Sequence, residues 1–254
     1  MRLSRLAKRP WRAFLSALPP RVPERLFRSW VNVLAERRRP PSALRELFAL
    51  DDDLQRELDR VAMRYDGGVH AKHRLTRYHD FFVERVESGE RVLDVGCGKG
   101  ELAHDLAERS GAEVTGVDWN DRSLAFARER FAHPSLRFVE ADVRSWAPDS
   151  EFDVLVLSNI LEHLPDRVPL LRRLIGETRA SRILLRVPAI DRHWHVPLRA
   201  ELGLTYFSDP THEVEYTRAE LERELREAWL EPVEVVARWG ELWAEARPDR
   251  PDAR

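Results

Sequence analysis

The stretch Arg91-Val-Leu-Asp-Val-Gly-Cys-Gly-Lys-Gly-Glu101 decides the fold. Its first half, Val92 to Val95, is a short apolar run of β-forming residues that stops at three alternating glycines, Gly96, Gly98 and Gly100. An Ala/Leu-spaced helical pattern follows from about Leu102 to Arg109. A strand that empties through a glycine turn into a helix points backbone N–H groups at whatever lies above the sheet. Glycine suits such a turn because a side chain would block a ligand's approach, and because the backbone there often needs positive φ.

Outward from this stretch, strand and helix patterns alternate. Strands are expected at Arg91–Val95, Glu113–Asp118, Leu136–Glu140, 154–157 and 182–187, with helices at 101–109, 123–131 and 168–178 between them. A last helix is expected over 220–229 with Thr217 as N-cap. Residues 233–239 and 242–246, parted by Gly240-Glu241, suit a terminal hairpin. Alternation of this kind implies right-handed βαβ units. The fold class is therefore α/β: a Rossmann-like, doubly wound seven-stranded sheet, mostly parallel with a terminal antiparallel hairpin, preceded by a helical N-terminal extension.

The extension covers residues 1–64 and is basic. Leu3, Ala7, Trp11, Phe14, Leu15 and Leu18 recur at helical spacing with Arg and Lys between them, interrupted by Pro10. Pro19-Pro20 and Pro40-Pro41 cut the chain into short pieces, with helices expected over 24–36 and 42–62. In the second, Leu44, Leu47, Leu54, Leu58 and Val61 form the apolar stripe, and Asp51-Asp52-Asp53 offers a second helix start. A further helix over 69–87, with Leu75, Tyr78, Phe81, Phe82 and Val86 buried, leads into the first strand of a domain spanning 65–247. Residues 248–254 read as a disordered tail.

The formal charge of −2 over 254 residues hides an asymmetry. Residues 1–48 carry twelve Lys/Arg against three acids, a formal +9, so the remainder carries −11. A basic arm on an acidic body suits contact with anionic lipid, nucleic acid or the body itself; residues 1–30 are the segment a peripheral membrane contact would use, and a helix packed on the domain or a frayed tail is the plainer reading. The single cysteine, Cys97, excludes an internal disulfide, and no apolar run approaches the roughly 20 residues that span a bilayer. The basic start lacks a continuous apolar core and a small-residue cleavage site, so no secretory signal is expected and the expected location is the cytoplasm.

A glycine turn of this kind also marks dinucleotide-binding folds, whose fingerprint is Gly-x-Gly-x-x-Gly. Here the spacing is Gly-x-Gly-x-Gly, and Glu101 stands where the third dinucleotide glycine would be. A helix start carrying Glu101 suits a pyrophosphate poorly, so the expected cofactor lacks phosphates. In Val114-Thr-Gly-Val-Asp-Trp119, Asp118 ends the second strand, where an acid accepts hydrogen bonds from ribose hydroxyls, and Trp119 offers a face to adenine. Glu140-Ala-Asp-Val143 repeats the pattern after the third strand.

The glycine turn and these acids together resemble the motifs of class I S-adenosylmethionine (SAM) methyltransferases. That resemblance implies SAM as cofactor and assigns Asp142, with Val143, to the adenine. Phe152-Asp-Val-Leu-Val-Leu-Ser-Asn-Ile-Leu-Glu-His-Leu-Pro165 resembles the fourth-strand motif of the small-molecule branch, which implies Ser158 and Asn159 beside the methionine part. Asp94, Gly96, Gly98 and Gly100 complete the implied site. Lys72-His-Arg74 lies in a helix that often covers the cofactor in this superfamily, and Arg74 is the residue assigned to the methionine carboxylate. A solvated helix face is the alternative for Arg74.

Methyl transfer to oxygen or nitrogen needs a proton removed, and histidine is the usual base near neutral pH. His163 follows the fourth strand, His193 and His195 follow the fifth, and His212 lies in the long aromatic insert 188–216. All four belong at the carboxyl edge of the sheet, where ligands bind. The plainer alternative is an insert that folds over the sheet with its histidines bonded to backbone. The insert resembles that of uncharacterised bacterial methyltransferases, some linked to polysaccharide biosynthesis. Asn159-Ile-Leu-Glu162-His163 resembles the Glu-x-x-Glu-His set that binds a divalent ion in small-RNA 2′-O-methyltransferases, with Asn159 replacing the first acid. Glu162, His163 and His212 are the residues such an ion would use, although neighbours on an α-helix point about 100° apart. The leading expectation is O-methylation of a small-molecule or carbohydrate-linked acceptor with a histidine base and no metal. A metal-assisted RNA 2′-O-methyltransferase is the alternative, disfavoured because the acidic body repels phosphates. A third reading is a non-catalytic module docking through its basic segment.

Overall fold

The computed structural model describes Phe14, residues 17–19 and residues 21–249. The amphipathic pattern expected over 1–18 and the tail beyond Asp249 lie almost wholly outside the described residues. The chain divides into two compact units after His70.

The first unit holds two helices, α1 (Arg21–Arg37) and α2 (Pro40–Tyr65). Pro40 starts α2, where its missing N–H costs nothing. Asp51-Asp52-Asp53 starts no second helix; α2 runs through it. Burial along this helix is uneven. Leu34, Ala43 and Phe48, close to the turn between the helices, are buried, whereas Leu54, Leu58 and Val61 are about half exposed. With 26 residues against 17, α2 is longer than α1 by about 13 Å, so α1 alone cannot cover its last turns.

The second unit opens with two short helices, α3 (Lys72–Thr76) and α4 (Tyr78–Val83), in place of the single helix expected over 69–87. Arg77 breaks it: its φ is 51°, its N–H closes α3 on the His73 carbonyl, and its guanidinium pairs with Asp80 in the first turn of α4 at 2.6 Å. Tyr78, Phe81, Phe82 and Val86 are buried as expected, but Leu75 is exposed because the break turns α3 away from that stripe.

Seven strands follow: β1 (Arg91–Val95), β2 (Glu113–Asp118), β3 (Leu136–Glu140), β4 (Val154–Ser158), β5 (Arg182–Pro188), β6 (Leu230–Arg238) and β7 (Glu241–Pro248). Their order is β3-β2-β1-β4-β5-β7-β6, the first five parallel and β7 antiparallel to β5 and β6. Helices α5 (Glu101–Asp105, extended by a π turn over Leu106–Ser110), α6 (Asp121–Arg130) and α7 (Arg167–Thr178) connect them. A short α8 (His195–Glu201) lies in the insert, and α9 (Arg218–Glu227) begins with a capping box of Thr217 and Glu220.

Strand alternation builds two cores. Leu93, Leu155, Leu157 and Leu185 join Leu171, Leu174, Leu221 and Leu225 on one face, while Val92, Val154, Val156 and Leu184 join Phe81, Phe82, Leu102 and Leu106 on the other. The parallel register aligns Val95 with Val117 and Leu157, so the ends of β1, β2 and β4 share one edge. The order reverses between β1 and β4, the crevice where doubly wound sheets bind ligands.

Candidate active site

The glycine loop is tied to β2. Gly96 and Cys97 both donate to the Val117 carbonyl, at 2.7 and 3.0 Å, and Gly98 N–H donates to Asp118 Oδ2 at 2.8 Å. Asn120 N–H donates to Asp118 Oδ1 at 2.8 Å, which fixes the carboxylate at the strand end. The glycines serve different needs. A Cβ on Gly100 would lie 2.7 Å from Phe138 Cζ, so that position is dictated by packing. A Cβ on Gly98 would meet nothing within 4 Å, and φ there is 54°: the space over Gly98 is open to a ligand. Gly116 in β2, a glycine that periodicity does not single out, makes room for the Cys97 side chain; a Cβ there would stand 2.9 Å from Sγ.

Asp94 sits beneath this loop, 2% exposed, with Oδ2 lacking any partner. Burial first, and the nearby Asp118 second, push its carboxyl up to about 8. Trp119 is 74% exposed at the mouth of the crevice. Asp142 is held by its own loop: Arg144 Nε donates to both carboxylate oxygens, at 2.9 and 3.0 Å, and its backbone N–H adds a bond of 3.0 Å. The guanidinium keeps Asp142 below the ordinary carboxylate range. Val143 packs on the core and its carbonyl accepts from Arg173. Arg74 lies exposed on α3.

At the end of β4, Ser158 is half-buried and Asn159 takes a left-handed φ of 56°. Asn159 Oδ1 accepts from Arg186 Nε at 2.6 Å. Arg186 is 5% exposed and lies over the Tyr78 ring, 3.6 Å from its centroid, with Glu241 Oε2 3.6 Å from its Nε. Burial raises the Tyr78 phenol above its ordinary range. Sequence reasoning missed Arg186, Tyr78 and Glu241 as a site group; an arginine inside the apolar run Arg182–Pro188 was the available signal.

Beyond Asn159, Leu161–His163 forms a single 3₁₀ turn. The insert is tied to it by Glu213 N–H, which donates to the Glu162 carbonyl at 2.7 Å. His163 and His212 meet edge to face with ring centroids 4.7 Å apart. Glu162 is fully buried, neither carboxylate oxygen has a partner, and burial pushes it up to about 8. Burial also lowers His163, with His212 the next cause. One ligand atom from each of Glu162, His163 and His212 lies within 4.8 Å of the others. Neighbours in a 3₁₀ turn diverge by about 120°, no less than on an α-helix, yet the ligand atoms of Glu162 and His163 converge, and His212 joins them from another segment. His193 and His195 meet edge to face with ring centroids 4.1 Å apart and both contact the Trp194 ring, at the exposed start of α8. The structure thus joins two of the four expected histidines in one cluster and pairs the other two with each other.

Residues 92–179 match the family model described as a methyltransferase domain. Those residues carry a methyltransferase domain. Trans-aconitate 2-methyltransferase of Rhodopseudomonas palustris is 36% identical to it over 117 residues, 45% of each chain. The enzyme of the same name from Escherichia coli O7:K1 is 35% identical over 100 residues, 39% of each. The chain therefore spans less than half the length of the relatives it matches. Magnesium protoporphyrin IX methyltransferase of Synechocystis, solved with bound SAH, superposes with a TM-score of 0.55 at 18% identity. That match covers 68% of this chain and 82% of the other, which establishes the fold of the methyltransferase domain. Among the described residues, no helix is long and apolar enough to cross a membrane.

Proposed function

We propose that the chain is a SAM-dependent methyltransferase that methylates an oxygen of a small-molecule acceptor. The observation that carries this reading is the Asp94–Asp118 pair under an open Gly98. Two neighbouring acids, one buried with an unpartnered oxygen, suit a cationic nucleoside and repel a pyrophosphate. Asp118 retains lone pairs on both oxygens for ribose hydroxyls, Trp119 offers an exposed face to adenine, and Asp142 with Val143 borders that face. Gly96, Gly98 and Gly100 bring the backbone close, Asp94 offers its free oxygen to the cationic end, and Arg74 is the assigned partner of the carboxylate. Ser158 and Asn159 border the methyl-bearing end.

SAM supplies a methyl group already activated by its positive sulfur. The chain has to hold the acceptor oxygen in line and accept the proton it loses as the new C–O bond forms. The His163–His212 cluster, close to Asn159 in the chain, is the proposed proton acceptor in the metal-free protein. The trans-aconitate activity named for the relatives supports a small-molecule acceptor, and the −11 charge outside residues 1–48 argues against a nucleic acid one.

Calorimetry with SAM and its demethylated product tests the reading. One site per chain is expected, with at least tenfold weaker binding in Asp118→Ala, about 1.4 kcal/mol or more. Absence of binding, or undiminished binding in the variant, would sink it and leave a fold without the cofactor.

A further inference from the structure

We propose that Glu162, His163 and His212 form a binding site for one divalent transition-metal ion. Hydrogen bonds from neighbouring groups fix which nitrogen of each imidazole carries its proton. Thr211 Oγ1 donates to Asp209 Oδ1 at 2.6 Å, so its contact with His163 Nδ1 at 3.0 Å is one in which the imidazole N–H donates. His212 Nδ1 lies 2.9 Å from Glu215 Oε1, and a carboxylate can only accept. Both rings therefore carry N–H at Nδ1 and a lone pair at Nε2. Outer hydrogen bonds of this kind, a carboxylate or hydroxyl on the far nitrogen, orient metal-binding histidines.

Glu215 is held in turn. It is 4% exposed and accepts from Arg192, from the Ser208 backbone, and from Ser208 Oγ at 2.6 Å. A fully satisfied acid therefore supports His212, while the neighbouring Glu162 has no partner on either oxygen. A buried carboxylate without a partner costs several kcal/mol unless a cation or donor joins it. The contrast between these two acids points to a ligand.

The spacing agrees. Three atoms within 4.8 Å of one another lie at most about 2.8 Å from a common centre. Each would move in by at most about 0.8 Å to reach the roughly 2.0–2.2 Å of a zinc–nitrogen or zinc–oxygen bond. Two imidazoles and one carboxylate suit zinc, manganese, iron or cobalt rather than calcium or magnesium, which prefer oxygen. Three protein ligands leave positions for an oxygen of the acceptor. Imidazole lone pairs cannot hold a cation and a proton together, so in the loaded protein the cluster positions the acceptor and the proton leaves to solvent.

This role rests on the methyltransferase reading, but the binding test does not. The full chain is dialysed against chelator and titrated with zinc(II) alone by calorimetry, with cobalt(II) absorption reporting ligand geometry. One ion per chain is expected. His212→Gln and Glu162→Gln should weaken binding at least tenfold, and Glu215→Gln, which touches no metal, by 10- to 100-fold. Each variant should bind SAM as the parent chain does, which shows that its fold survives. Absence of stoichiometric binding, or equal binding in the ligand variants, overturns the site. Metal binding without SAM binding would keep the site and remove the methyltransferase reading.

Discussion

Asp94 is a carboxyl group whose surroundings favour the proton. The unfolded chain releases that proton near pH 4, whereas the folded protein holds it up to about 8. The sign follows: this group lowers stability progressively as pH rises from about 4 to about 8, and adds no penalty below that window. A cation bound against Asp94 reverses the preference and expels the proton. SAM binding at pH 6–7 is therefore expected to release close to one proton. Affinity should tighten by up to about tenfold per pH unit until pH 8. Calorimetry in buffers of different ionisation enthalpy measures the release directly. Asp94→Asn should bind more weakly with no proton released; equal release in that variant would place the cation elsewhere.

At the scale of elements, helix ends govern how the site-bearing loops are presented. Helix α7 stops at Arg179, which is exposed, has a φ of 61°, and closes the helix by donating to the Ile175 carbonyl at 3.1 Å. A left-handed conformation costs a non-glycine residue about 1–2 kcal/mol, against about 0.5–1 kcal/mol of extra unfolded-chain entropy for glycine. Arg179→Gly is thus expected to stabilise by about 0.5 kcal/mol, raising Tm by about 1–2 °C in a scanning calorimeter. A lowered Tm would show that the Arg179 side chain contributes more than its conformation costs. The left-handed Arg77 has a different standing, because its guanidinium also caps α4 through Asp80. The same substitution there would remove both a strain and a contact.

For the molecule as a whole, the division after His70 separates a helical unit from one containing the whole sheet and both cores. The joining segment includes Gly67 and Gly68, both exposed and both at positive φ. Exposed glycine-rich backbone is where proteases enter. Limited proteolysis is expected to cut first near residues 66–70 and to leave a resistant fragment spanning the sheet. Mass spectrometry of the first products checks this; early cuts inside residues 91–188 would show that the sheet unit is not the stable one.

The strands from β1 to β5, the glycine turn and the acids at strand ends were all legible in the sequence. Each is a local pattern: β-forming apolar residues, period-two alternation, and a turn chemistry that only glycine satisfies. Periodicity also showed which face of α2 is apolar. It could not show that Leu54, Leu58 and Val61 lack cover within the hairpin, because burial depends on a partner's length. The break at Arg77 escaped for a similar reason, since an arginine carries no local signal for positive φ. The histidines were visible as a group of four, but their pairing was not. His163 and His212 are 49 positions apart, and the fold brings them together through the Glu213–Glu162 backbone bond, the Thr211–His163 contact and the Glu215 network. Local chemistry thus determined the sheet and its glycine loop. The tertiary structure alone decided which polar groups met and which atoms, like both Glu162 carboxyl oxygens and Asp94 Oδ2, were left without a partner, because satisfaction of a buried group is a property of its surroundings.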